Sequence, residues 1–134
     1  MPLIQWDESL SVGVEKLDAQ HRRLAEMANA LYEAVTAGNS REIVAELVAR
    51  LTDYLREHFA TEEGFMAAHG YPGAEGHKEQ HAFFTRNVFD FEVAALDSYT
   101  PFAATFEFLR AWLADHTLDA DKRLGAFLVS RGVR

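Results

Sequence analysis

Asn39 to Phe65 reads NSREIVAELVARLTDYLREHFATEEGF, and its apolar residues return with the spacing of a helix. Val44, Leu47, Leu51, Tyr54, His58 and Phe65, flanked by Ile43, Val48, Leu55 and Phe59, mark one face of a long segment. Asn39 followed three residues later by Glu42 reads as a capping box. Gly70-Tyr71-Pro72-Gly73 is the breaker that stops the helix, and Gly64 is a weak point inside it. Upstream, Leu17, Leu24, Ala28, Leu31 and Val35 form a matching seam with His21 in the missing place, closed by Gly38 and Asn39. Downstream, a third segment starts near Glu75 or Gly76 and keeps the spacing through His77, His81, Phe84, Val88, Phe91 and Ala95, ending at Asp97, Ser98 and Tyr99. Thr100 then reads as an N-cap with Pro101 at the first helical position. It opens a fourth helix through Phe102, Phe106, Leu109, Leu113 and His116 toward Asp121.

Four helices of about 20 residues, each about 30 Å long and joined by short connections, predict antiparallel neighbours. The fold class is therefore all-α, an up-down-up-down antiparallel four-helix bundle forming one domain over residues 1–134. An N-terminal arm, residues 1–16, carries Trp6, Val12 and Val14, which solvent would waste. The bundle spans about 17–121, and the short C-terminal tail 122–134 contains Leu124, Phe127, Leu128 and Val129, which can pack back on it. There is no strand alternation, internal repeat or low-complexity stretch.

The bulk composition narrows the function. With 134 residues, 49% hydrophobic, the chain has room for one full core and is too apolar for intrinsic disorder. Its formal net charge of −8 opposes nonspecific binding to nucleic acid, which relies on Lys and Arg displacing counterions. Zero Cys excludes disulfides, thiolate metal sites, iron–sulfur ligation and cysteine nucleophiles together. Met1 to Gln20 has no continuous apolar run, so neither a signal peptide nor a membrane span is expected there, and a cytoplasmic location is the simplest expectation.

Histidine placement is the informative anomaly. Amphipathic helices turn ionisable groups outward, yet His21, His58, His77, His81 and His116 continue the apolar seams, with at least one on each helix. One such histidine is more often a core residue with a hydrogen-bond partner than a ligand, and a single H-x-x-x-H is common. Co-location changes the balance. His58 with Glu62, and His77 with His81, each stand one turn apart on one face. His116 and Asp121 are five residues apart, about 140° apart on a regular helix. They converge only through a π-bulge or an unwound turn. Five imidazoles and two carboxylates are too many for one four-coordinate zinc and too nitrogen-rich for calcium or magnesium. Two transition-metal ions fit the count, Fe and Mn ahead of Zn or Cu. His69 fits no seam and is expected at the surface.

These residues together, with Trp6, Ser11-Val12-Gly13-Val14 and Asp18-Ala19-Gln20-His21, resemble the hemerythrin family and in particular its single-domain bacterial members, over about Ile4 to Asp121. The resemblance implies an oxo- or hydroxo-bridged di-iron centre, with His77, His81 and His116 on one iron, His21 and His58 on the other, and Glu62 and Asp121 bridging. Counting donors then gives six for the first ion and five for the second, so the open position lies near His21 and His58. Leu24, Phe59, Trp112, Leu113 and Thr117 are the implied oxygen pocket, although Thr117 stands where the resemblance implies an apolar residue. The implied activity is reversible dioxygen binding for storage, delivery or buffering by a protein that is not an enzyme. Its ligand is dioxygen and the protein that receives the oxygen is unknown. No nucleic acid or membrane span is implied. The alternatives are an oxygen or redox sensing module, and a di-iron enzyme reducing peroxide or nitric oxide.

Overall fold

A computed structural model describes residues 4–95 and 102–134, with the side chains of 41, 89–95, 102–107 and 109 outside that description. Its helices are α1 (Glu15–Thr36), α2 (Arg41–His69), α3 (Ala74–Ala95), α4 (Phe102–His116) and α5 (Lys122–Ser130). A π-helical turn, Thr117–Asp121, joins α4 to α5, and a short 3-10 turn, Glu8–Leu10, precedes α1. Helices α1 to α4 form the up-down-up-down bundle in which α1 and α3 each pack against α2 and α4. No described helix is long and apolar enough to cross a membrane.

The helix boundaries follow from local chemistry. Gly38, at φ 74°, ends α1, and the backbone N–H of Asn39 donates to the Ala34 carbonyl at 2.9 Å. Asn39 therefore closes α1, and the expected Asn39–Glu42 capping box does not form. Ser40 caps α2 instead, its side chain accepting from the Ile43 N–H. Helix α2 runs unbroken through Gly64 and stops at Gly70, which adopts the left-handed φ of 64°. The expected third-helix stop at Asp97 to Tyr99 and the Thr100–Pro101 start lie outside the described residues.

Two apolar clusters fill the interior. The larger joins Leu24, Leu31, Val44, Leu51, Leu55, Phe59, Phe84 and Val88. The smaller joins Val12, Val14, Leu17, Met66, Leu124 and Leu128, so the N-terminal arm and the C-terminal segment close one end of the bundle together. The C-terminal segment is a helix, α5, whose Leu124 and Leu128 are fully buried. Asp18 fastens the arm, accepting from Ser11 Oγ at 2.6 Å and from the Val12 N–H at 2.8 Å.

Gly125 and Gly64 differ in what surrounds them. A methyl group on Gly125 would overlap the Val12 carbonyl oxygen and come within 2.7 Å of Val12 Cβ, whereas Gly64 has open space around it. Gly64→Ala is expected to stabilise the protein by about 1 kcal/mol through helix propensity alone. Gly125→Ala, equally favoured by propensity, is expected to destabilise by roughly 1–3 kcal/mol through overpacking. Thermal melting of the two variants reads this directly, and a rise for both would contradict the close packing of α5 on the arm.

Candidate metal centre

Helical phase explains why all seven polar residues meet. Along α1 the inward order is Leu17, His21, Leu24, and along α2 it is Phe59, Glu62, Met66 with His58 one turn before Glu62, so each helix inserts its polar group between the two apolar clusters. Helix α3 contributes His77 and His81 just before Phe84. On the fourth helix the π turn absorbs the five-residue step, and His116 Nε2 lies 2.9 Å from Asp121 Oδ1. All seven side chains are buried, Glu62 completely.

The two carboxylates sort the imidazoles. Glu62 Oε1 faces His81 Nε2 at 2.9 Å and His77 Nε2 at 3.4 Å, and Asp121 Oδ1 faces His116 Nε2 at 2.9 Å and His77 Nε2 at 3.0 Å. The other oxygens turn the opposite way: Asp121 Oδ2 is 3.1 Å from His21 Nε2 and Glu62 Oε2 is 3.5 Å from His58 Nε2. Two potential ligand groups result, Glu62, His77, His81, His116 and Asp121 on one side and His21, His58, Glu62 and Asp121 on the other. Both carboxylates belong to both groups.

Two glutamines orient the rings. His58 Nδ1 donates to Gln20 Oε1 at 2.7 Å and His116 Nδ1 donates to Gln80 Oε1 at 2.7 Å. Each bond fixes the tautomer and leaves the Nε2 lone pair directed into the cluster. Gln20 is itself held by donating Nε2–H to Thr61 Oγ1 at 3.1 Å. Aromatic faces hold two more rings: Phe59 stacks on His81 at 3.9 Å between centroids and Trp112 on His116 at 4.3 Å.

The residues expected to line one pocket are divided. Leu24, Leu113 and Thr117 line a cavity of about 280 Å³ that reaches His21. Phe59 and Trp112 instead lie against His81 and His116 on the three-imidazole side, because their flat faces pack on the rings. His69 is half-buried at the end of α2 with its ring beside Phe65, apart from the cluster.

Burial and charge pull against each other throughout the cluster. Burial pulls His21 and His77 down, but their close approach and charge attraction to Asp121 and Glu62 outweigh it and carry both up to about 9. His116 is raised by the same balance. Burial dominates at His58 and lowers it to about 4. Burial raises Glu62 and Asp121, but the surrounding imidazoles hold both carboxyls below their ordinary range. Among the described residues, eleven buried side-chain nitrogen and oxygen atoms lack a hydrogen-bond partner, and all but Trp6 Nε1 belong to this cluster. The residues present fit a pair of divalent transition-metal cations, since one ring nitrogen from each of five imidazoles and the oxygens of two carboxylates are the donors such ions take.

Sequence reasoning did not find Gln20 and Gln80. A signal was present: each immediately precedes a seam histidine, as Gln20-His21 and Gln80-His81, and so sits beside the polar layer. Each bonds to a ring on the neighbouring helix, which spacing along one helix does not reveal.

A family model for the hemerythrin HHE cation binding domain matches residues 12–128. A protein of Stenotrophomonas maltophilia named bacteriohemerythrin is 38% identical over 93 residues, covering 69% of this chain and 60% of that one, so the match spans less than two thirds of that relative. A bacteriohemerythrin of Clostridium acetobutylicum is 27% identical over 122 residues, covering 87% of this chain and 95% of that one. A crystal structure of wild-type hemerythrin aligns with a TM-score of 0.88 at 28% identity, covering 94% of this chain and 98% of that one. With the family model spanning the bundle and the paired ligand groups inside it, this chain belongs to the hemerythrin family.

Proposed function

We propose that the chain binds dioxygen reversibly at a di-iron centre, as a cytoplasmic store, carrier or buffer of oxygen. One observation carries this reading: a three-imidazole group and a two-imidazole group share the same two carboxylates. His77, His81 and His116 would hold one iron, His21 and His58 the other, and Glu62 and Asp121 would bridge them. Held there, such a pair would supply the electrons that dioxygen binding draws on.

The chain's own side chains support binding over turnover. The two-imidazole group has one donor fewer, and the cavity of about 280 Å³ opens on that side, at His21. Leu24 and Leu113 give that cavity an apolar wall beside His21. Asp7 is the cavity's carboxylate among the described residues, and hydrogen bonds from the Ser9 hydroxyl and N–H hold it below the ordinary carboxylate range. It is therefore no proton donor at neutral pH.

Titrating the anaerobically reduced protein with oxygen tests this reading. A visible absorption band that appears with oxygen and disappears under vacuum is expected, whereas rapid irreversible conversion would favour an enzyme or a sensor. Metal analysis should give about two irons per chain, and zinc or no metal after growth with ample iron would overturn the reading. Glu62→Ala and His77→Ala are expected to lose iron and thermal stability together, while His69→Ala keeps both.

The shifted imidazoles generate a separate expectation. In the metal-free protein, His21 and His77 contribute stability that is complete below their unfolded value of 6.5 and is lost as pH rises through about 9. Depressed His58, Glu62 and Asp121 contribute stability that is lost as pH falls below their unfolded values of 6.5, 4.5 and 3.8. The thermal midpoint of metal-stripped protein should peak at about pH 6 and decline toward alkaline pH. Metal-loaded protein should hold its midpoint over the alkaline part of that range, and parallel curves for the two forms would show that these imidazoles are not the metal's ligands.

A further inference from the structure

Gln20 reaches across from α1 and spans one turn of α2, its amide bridging His58 and Thr61, which stand three residues apart on the same face. The polarity of that bridge is set at its far end. Thr61 returns its hydroxyl proton to the Glu57 carbonyl at 3.0 Å, so toward Gln20 it has only lone pairs to offer. Gln20 therefore turns its Nε2–H to Thr61, at 3.1 Å, and its Oε1 to His58, at 2.7 Å. An oxygen facing Nδ1 requires a proton there, which leaves His58 Nε2 bare on the side of Glu62 Oε2, 3.5 Å away. One hydroxyl proton thus dictates, through a chain of hydrogen bonds, the form in which a buried imidazole presents its lone pair to the cluster.

The two glutamines differ in this respect. Gln20 is buried and bonded at both ends, whereas Gln80 is half-buried and its contact with His116 Nδ1 is its one side-chain hydrogen bond among the described residues. Thr36 and Thr85 make the same return bond as Thr61 to the carbonyl one turn back, but among the described residues no side-chain donor reaches their hydroxyls. Thr61 stands where a buried amide needs an acceptor. We propose that Thr61 is a positioning residue that acts through Gln20 to hold His58 in its Nδ1–H tautomer, and so sets how firmly the two-imidazole group keeps its cation. The assignment rests on the paired-cation reading of the cluster but not on iron or on dioxygen, since any transition-metal ion requires the bare Nε2.

The test equilibrates protein as purified against graded EDTA and counts the metal retained per chain. Thr61→Val removes the acceptor at nearly constant shape, so the amide no longer gains by keeping its oxygen on His58. One of the two metals should then be surrendered at roughly fivefold lower EDTA, while the other is kept as before. Thr61→Ser, which keeps the hydroxyl, should follow the parent protein. Gln20→Glu separates orientation from packing: a carboxylate accepts from Nδ1–H with either oxygen, so in that background Thr61→Val should shift neither metal. Identical curves for the parent and Thr61→Val overturn the proposal. So does an equal loosening of both metals, or a Thr61→Val shift that persists beside Gln20→Glu, because each marks lost packing rather than a lost tautomer. A Thr61→Val shift of one metal in protein carrying zinc would leave this assignment standing while removing the dioxygen reading. Reversible oxygenation with unshifted curves would do the converse, and protein that carries no metal would overturn both.

Discussion

Seven ionisable side chains buried in one layer of an apolar bundle set the terms for the rest of the structure. An unsatisfied buried polar atom costs roughly 1–3 kcal/mol, and ten such atoms lie in this cluster. A whole domain has a net stability of only about 5–15 kcal/mol. The residual contacts between imidazole and carboxylate soften the penalty, as the raised imidazoles and depressed carboxyls show. They leave the lone pairs on His81 and on both Glu62 oxygens without a hydrogen bond. Coordinated cations are the partner whose binding energy matches a penalty of that size.

The scaffold isolates this layer by stacking apolar matter on both sides of it. Each of α1 and α2 passes from one apolar cluster through the polar groups to the other, so small movements of one helix displace a ligand and an apolar contact together. Orientation comes from outside the ring of seven. Gln20 reaches from α1 to a ring on α2, and Gln80 reaches from α3 to a ring on α4, so paired helices lock each other's imidazoles. The arm and α5 then cap the open end, where Gly125 lets the Val12 backbone approach.

What was legible in the sequence was whatever a single helix encodes. Seam positions placed His21, His58, His77, His81 and His116 inward, and the five-residue step from His116 to Asp121 required an irregular turn, which the structure supplies as a π turn. Features that depend on a second element were hidden. Ser40 rather than Asn39 caps α2 because Asn39 is already committed to ending α1. The tail's helical form depends on continuity with α4 through the π turn, and its burial depends on the arm folding across it. The division of the expected pocket reflects aromatic faces choosing imidazole partners across helices, with Phe59 on His81 and Trp112 on His116.

The π turn links these levels. One extra residue rotates the chain between His116 and Asp121, which brings the second carboxylate to the cluster. The same step resets the phase of everything after it: Leu124 and Leu128, three and seven residues beyond Asp121, face the lower core only from the shifted register. A regular helix from Phe102 to Ser130 could supply His116 or Asp121 to the interior, but not both. The irregularity that brings His116 and Asp121 together is therefore the same one that sets the register of the last helix against the arm.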